Sequence, residues 1–369
     1  MGYSRIILLL VFFVFSFFII KEANAEVNVC QDLTTADTVY NLTDNVYSNG
    51  TCFTILANNI TLDCQGYTIV YSQTTSGYAV DNTLGYNSTM VMNCTIVQGN
   101  NTDDADAIHI ENAYYTNITG NTITVYGDLY AIHFESSNSN TVLNNTINTS
   151  GYNAWGIYLR STPDSSIINN IISTYNDQAF GIYLDVDSNS TTISNNKIDT
   201  YGNIASGIYT SSSASISNSN ITDNTITTSG ISSFGIELYN PFNSNITDNT
   251  ITTSGSDSSG IYLNGGSDNT LINNNIDNSI NGIWLYSSSN NTIYNNSICS
   301  NNFDGIILEE SSYNNITNNN VCLNSQNGIY LNYSNNNRIA NNTVDSNKWG
   351  IYVFDSSYDT WFSRDNACR

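Results

Sequence analysis

Positive charge is scarce in this sequence. Eight Lys and Arg stand against 31 Asp and Glu in 369 residues, a formal net charge of −23. So acidic a surface repels nucleic acid, anionic lipid and polyanionic chains over long range, and no nucleic-acid partner is expected. Histidine occurs twice, at His109 and His133, and proline twice. None of the seven cysteines forms a C-x-x-C pair, which argues against a zinc site. No segment carries a helical apolar period over about ten residues, and Asn, Ser, Thr and Gly at this density oppose one. Long apolar runs are also missing, with one exception at the N-terminus.

That exception is residues 6–20, preceded by Arg5 and followed by Ala23-Asn24-Ala25. A positive start, a short apolar stretch and a small-residue cleavage site read as a secretory signal peptide over residues 1–25. The run is short for a membrane span, and an uncleaved anchor is the alternative. No second run follows, so no membrane span is expected after cleavage, and the protein is expected outside the cell or on its surface. In an exported chain the cysteines point to disulfides. Cys30 with Cys52 and Cys64 with Cys94 are the obvious pairs. Cys299 and Cys322 fall in one column of the repeat described next, as a disulfide or as two stacked thiols. Seven is an odd number, so one thiol is left over or pairs with another molecule, and sequence alone does not fix the connectivity. N-x-[ST] triplets, each a potential glycosylation acceptor, recur from Asn41 to Asn341.

What the sequence does have is a repeat. A four-residue motif, AIHI at Ala107, AIHF at Ala131, GIYL at Gly156 and so on to GIYV at Gly350, recurs eleven times at steps of 22 to 28 residues. Its second position is Ile throughout, from Ile108 to Ile351. Its fourth is nearly always large and apolar, so both point to one side of a strand. Each unit holds three short apolar patches divided by turns. Such a unit closes as one coil of a parallel β-helix, and coils stack at about 4.8 Å. The expected fold is all-β: a right-handed parallel β-helix of about 13 coils over residues 60–369, with residues 26–59 as an N-terminal cap. Asn pairs such as Asn195-Asn196, Asn274-Asn275 and Asn341-Asn342 fall at turns, where Asn tolerates left-handed backbone and can bond from coil to coil.

The GIYL-x-x-S-x-x-N-x-I-x-N-N-x-I units resemble the right-handed β-helix repeat family that includes the NosD-type periplasmic proteins and many archaeal and bacterial surface proteins. The resemblance covers roughly residues 28–369. It implies the fold and an exported setting more than any one activity, because this fold serves lyases, hydrolases, epimerases, adhesins and scaffolds. A NosD-type, metal-handling role is one implication, but two His with Met90 and Met92 are a thin copper set. Residues 101–106, NTDDAD, resemble the start of a polygalacturonase site, yet no Gly-His-Gly or Arg-Ile-Lys follows. The scattered basic residues also disfavour uronate lyase chemistry.

The third motif position forms an outward column: His109, His133, Tyr158, Tyr183, Tyr209, Glu237, Tyr262, Trp284, Ile307, Tyr330 and Tyr352. Two residues on stand Glu111, Glu135, Arg160, Asp185 and their successors. The plain reading is a structural aromatic ladder with His in place of Tyr. The binding reading is a strip for sugar rings, with Tyr158, Arg160, Tyr183, Asp185, Tyr209, Tyr262, Trp284, Tyr330 and Tyr352 as contact residues. The catalytic reading pairs Glu111 with Glu135, aided by His109 and His133, as a polysaccharide hydrolase or lyase. The same four residues are a weaker metal set. The expectation is a non-enzymatic recognition or structural protein, without cofactor, whose partner is a polysaccharide or cell-envelope glycan.

Overall fold

The computed structural model describes residues 23–100, 105–214, 216–355, 357–358, 360–363 and 365–367. Most of the expected signal peptide lies outside these residues, as does Cys368. Every described element is a strand, and every strand pairing is parallel. Sheet A has 15 strands, from Ala23–Val27 to Trp361–Ser363; sheets B and C have 14 each, from Gln31–Leu33 to Trp349–Val353 and from Val46–Tyr47 to Asn366–Ala367. Successive strands along the chain go to different sheets, and each pairs with the strand one coil away. The result is the expected solenoid of about 13 turns. Residues 23–47 contribute the first strands of all three sheets. A signal cleavage after Ala25 would leave Glu26 and Val27 of the first strand.

The core is three ladders of branched aliphatic side chains, one from each sheet. The motif isoleucines from Ile108 to Ile329 are fully buried, and only Ile351 at the end is partly open. Each such burial stabilises by roughly 1.5–3 kcal/mol. The first motif position explains itself in three dimensions. It is the corner from sheet C into sheet B, and a Cβ on Gly181 would lie 2.4 Å from Ile198 Cγ2 and 2.6 Å from the Gly207 carbonyl. Only Gly, or Ala at positions 107 and 131, stands there in the motif.

The turn from sheet A to sheet C repeats with one backbone conformation. Asn144, Asn169, Asn195, Asp223, Asp248 and Asn273 all have φ of 56–57°, a region that Asn and Asp enter at least cost. For the expected pair Asn274-Asn275 the left-handed residue is instead Asn273, so the turn is Asn273-Asn274 and Asn275 already opens a strand. The residue after each is a buried Asn. Asn170 Nδ2 donates to Asn196 Oδ1 at 3.0 Å and to the Val142 carbonyl at 2.9 Å, and its own Oδ1 accepts from Asn145. This ladder runs from Asn121 to Asn342 and ends on Asp365, which accepts and has nothing to pass on. Each side-chain amide of this ladder thereby finds partners within the protein.

Three disulfides join Cys30–Cys52, Cys64–Cys94 and Cys299–Cys322, with Cα separations of 4.5, 4.7 and 4.5 Å. Each spans one coil step. The C-terminal tail forms a partial coil, with Arg338 lying over the Trp361 ring.

Candidate functional site

Sheet B turns one face outward, and its parallel register fixes what stands there. Asp81, His109, His133, Tyr158, Tyr183 and Tyr209 are direct neighbours on successive coils, followed by Glu237, Tyr262 and Trp284. A second column stands beside it, contributed by the residue before each motif: Tyr78, Asp106, Tyr130, Trp155, Phe180, Ser206 and Phe234. The corner makes this possible. Ala107 and Ile108 are both fully buried, as are Ala131 and Ile132, so two consecutive residues point inward and the one before them emerges beside the third position.

The two columns interleave. Tyr130 stacks on Trp155 at 4.4 Å and Phe180 on Tyr209 at 4.2 Å. Trp155 also meets Tyr158 and Tyr183 at 4.8 and 4.3 Å. Trp155, Tyr158 and Phe180 are consequently buried, making a small apolar cluster on the outside of the sheet. The expected strip of open tyrosines is therefore closed on itself at Tyr158 and half-open at Tyr183 and Tyr209. Tyr158 donates to Asp185 Oδ2 at 3.0 Å, and Ser211 donates to the other oxygen at 2.7 Å. Burial, then the Asp185 charge, holds the Tyr158 phenol far above its usual range, so it stays a donor.

At the N-terminal end of this face the histidines keep different company from that expected. Both turn to Asp106, which sits at the bottom of the second column and is buried. His133 Nδ1 hydrogen-bonds Asp106 Oδ2 at 3.0 Å; His109 Nδ1 lies 3.1 Å from the same oxygen, close enough for an ion pair but out of line for a hydrogen bond. Their rings lie 4.2 Å apart, with Tyr78 edge-on to His109 and Tyr130 edge-on to His133. Burial opposes the charge on Asp106, but the close contacts and charge of the two histidines outweigh it and hold its carboxyl below the usual range. Burial likewise opposes the charge on His109, and Asp106, Asp81 and Glu111 outweigh it, so its pKa is raised.

Glu111 and Glu135 are register neighbours, as expected, and each meets a further partner. Glu111 accepts from Asn112 at 3.0 Å. Glu135 lies 3.6 Å from Arg160 Nη1 and 3.9 Å from His133 Nε2. Among the described residues, the donor atoms close enough to share one ion belong to Asp106, His109 and His133, all within 4.8 Å of one another, and neither glutamate is among them. Two imidazoles and a carboxylate suit a first-row transition metal. Sequence reasoning missed Asp106 as their partner, although it closes the NTDDAD stretch. The available signal was its place one residue before a motif, where the next coils carry Tyr130, Trp155 and Phe180.

A second polar group interrupts the aromatic column. Glu237 is buried and accepts from Ser206 at 2.7 Å and from the Tyr239 hydroxyl at 3.1 Å. Burial pushes its pKa up to about 7 against those two bonds. Tyr239 bridges the gap, 6.2 Å from both Tyr209 and Tyr262. Beyond it Tyr262 meets Trp284 at 4.9 Å, and Tyr330 stacks on Tyr352 at 5.9 Å, with Ile307 between the two pairs.

Residues 83–240 and 206–367 match the model of a family described as the right handed beta helix region. No curated protein matches the sequence significantly. Solved structures share the fold at low identity. A variant of a periplasmic alginate epimerase is 16% identical over 90% of this chain and 77% of its own, with a TM-score of 0.56. The A-module of an Azotobacter vinelandii mannuronan C-5 epimerase is 12% identical over 92% and 97%, at 0.54. The DFA-IIIase of Arthrobacter chlorophenolicus A6, in complex with DFA-III, is 9% identical over 73% and 82%, at 0.54. At such identity the likeness is one of fold.

Proposed function

The chain belongs to the right-handed β-helix family, and from that premise we propose that it is an exported glycan-binding protein whose ligand lies along the outer face of sheet B. The reading rests on one observation: the partly open rings of Tyr183, Tyr209 and Trp284 stand on this face with the hydrogen-bonding side chains of Asp185 and Asn264 beside them, on strands held in register. Sugar rings lay their apolar C–H faces on aromatics and present hydroxyls to carboxylates and amides. The phenols here are kept protonated by burial, so they remain donors. The ligand is neutral. A net charge of −23 repels polyuronates, and Arg160, the cation of this face, lies against Glu135. Three disulfides support an extracellular or cell-surface setting. Three proteins of the same fold carry the names of carbohydrate-acting enzymes.

The test is binding of the full chain to a panel of neutral and uronate polysaccharides, with Tyr209→Ala and Trp284→Ala beside it. Binding to a neutral polymer that weakens at least tenfold in both variants is the expected result. No binding, or binding indifferent to both changes, would sink the reading.

A second reading is favoured by Asp106 and His133. The carboxylate orients Nδ1, and Nε2 is buried without a hydrogen-bond partner, 3.9 Å from Glu135. An imidazole so placed can act as a general base in polysaccharide cleavage. New reducing ends or unsaturated products that vanish in His133→Gln and Glu135→Gln would establish it.

A further inference from the structure

A different edge of the solenoid carries a third, shorter column, at the residue that leaves sheet C. Its members are Tyr126, Ser150, Tyr175 and Tyr201; the N–H groups of Ser150, Tyr175 and Tyr201 donate to the carbonyl one coil back, and that of Tyr126 donates to the Gln98 side-chain oxygen. Tyr175 and Tyr201, on adjacent coils, stack with ring centroids 5.0 Å apart and planes 3° from parallel. Ser150 has no ring. Tyr126 and Tyr175 are therefore separated by two coil steps, roughly 10 Å. Between them lies a recess of about 120 Å³, lined by both tyrosines with Ser150, Thr149, Asn148 and Thr124.

A ring placed midway in this recess sits about 5 Å from each tyrosine, the spacing at which the column already stacks. The floor has few polar atoms to spare. Thr149 Oγ1 donates to the Ala154 carbonyl and the Ser150 N–H to that of Val125. Recognition there must come from the two ring faces, with Asn148 and Thr124 at the side. Both tyrosines are about half exposed, so the recess opens to solvent.

We propose that the slot between Tyr126 and Tyr175 holds one neutral sugar ring of gluco configuration. A pyranose is thicker than an aromatic ring because axial C–H bonds project from both faces, so it needs a gap wider than ordinary stacking. In β-gluco sugars every ring hydroxyl is equatorial, and both faces present only C–H to the two tyrosines. A galacto or manno ring carries one axial hydroxyl, which would face an aromatic wall without a partner. The sheet B face offers rings on one side of a ligand; the slot offers them on both. It would serve as an anchor for a chain end or a branch. The choice of ligand class rests on the carbohydrate reading above; the slot itself rests on the missing ring at Ser150.

The test uses the full chain with ring-labelled tyrosine, titrated by NMR with methyl β-glucoside and, in parallel, methyl β-galactoside. The expected result is a saturable shift of the Tyr126 and Tyr175 rings with the glucoside, at least threefold weaker with the galactoside. Ser150→Tyr completes the stack and fills the slot without disturbing sheet B, and it is expected to abolish these shifts. No shift at Tyr126 and Tyr175, equal response to the two sugars, or shifts that survive Ser150→Tyr would each overturn the proposal. Shifts at Tyr183 and Tyr209 report on the sheet B reading separately. Response there with none at Tyr126 and Tyr175 keeps that reading and removes the slot, and the reverse pattern does the opposite.

Discussion

His133 reaches back across a coil boundary to Asp106, its Nδ1 3.0 Å from a carboxylate oxygen that is almost wholly buried. The same oxygen lies 3.1 Å from His109. One acid thus serves two imidazoles, and the three side chains stand where an otherwise aromatic double column begins. A buried carboxylate is costly without partners, and the histidines supply them. In return it orients both rings, leaving the other nitrogen of His133 without a hydrogen bond and 3.9 Å from Glu135.

Asp106→Asn should lower the His109 pKa, because burial then acts with less charge to oppose it. The signs define a window. Asp106 has a lowered pKa, so its contribution to stability is present above about pH 3.8 and is lost as pH falls through its folded value. His109 has a raised pKa, so its contribution is present below about pH 6.5 and is lost as pH rises through its folded value. The wild type should therefore exceed Asp106→Asn in stability most clearly between about pH 4 and 6.5. Histidine titration by NMR and urea midpoints across pH would check this, and a difference that is flat with pH would refute it.

Glu237 gives the opposite pH dependence for a carboxylate. Its folded pKa, about 7, lies above the ordinary glutamate value of 4.5. The protonated form is favoured on folding, so its contribution is complete below about pH 4.5 and is lost as pH rises through about 7. Glu237→Gln keeps the shape and removes the charge. It should be near neutral at pH 4 and stabilising at pH 8, by at most about 3 kcal/mol for a shift of this size. Denaturant titrations at the two pH values decide it, and a variant less stable at pH 8 would show that Glu237 folds ionised.

The repeat made much of this legible in the sequence. The invariant isoleucines fixed the inside of sheet B, the Asn pairs marked the turns, and the spacing of Cys299 from Cys322 placed them on neighbouring coils. The second aromatic column was not legible, because strand alternation assigns residue 106 to the same side as Ile108. The corner at Ala107 breaks that alternation by turning two successive residues inward. The same corner hid the closeness of Asp106 to the histidines, of Trp155 to Tyr158 and of Ser206 to Glu237. Glu237 stood in the expected outward column, but its burial depends on Phe234, Tyr239 and Tyr262, which sequence spacing alone does not bring together.

Asn224 stands mid-ladder, donating to Asn249 and to the Ile193 carbonyl while accepting from Asn196. Asn224→Ala would strand the Asn196 N–H groups and the Ile193 carbonyl in a dry turn. Each orphaned group costs about 1–3 kcal/mol. Asn224→Asp would restore the acceptor but place a charge against a carbonyl. Both should lower the unfolding midpoint, and Asn224→Ala should do so by several kcal/mol. A loss under about 1 kcal/mol would mean that water replaces the ladder.

Cys299–Cys322 closes one coil near the C-terminal end, on adjacent strands of sheet C. In a solenoid each coil touches only its neighbours, so stability is close to a sum of local terms and ends fray first. Replacing both cysteines with Ser removes a crosslink over 23 residues, worth about 3 kcal/mol in the chain-entropy account. That loss should stay local. Hydrogen exchange should quicken in the coils after Cys299 and remain unchanged around Ile108 to Ile182, far along the stack. The Asn ladder crosses the same boundary at Asn296 and Asn319, so the coil should loosen rather than detach. Uniform acceleration along the whole chain would instead show that the solenoid unfolds as one cooperative unit, with the disulfide acting on all of it.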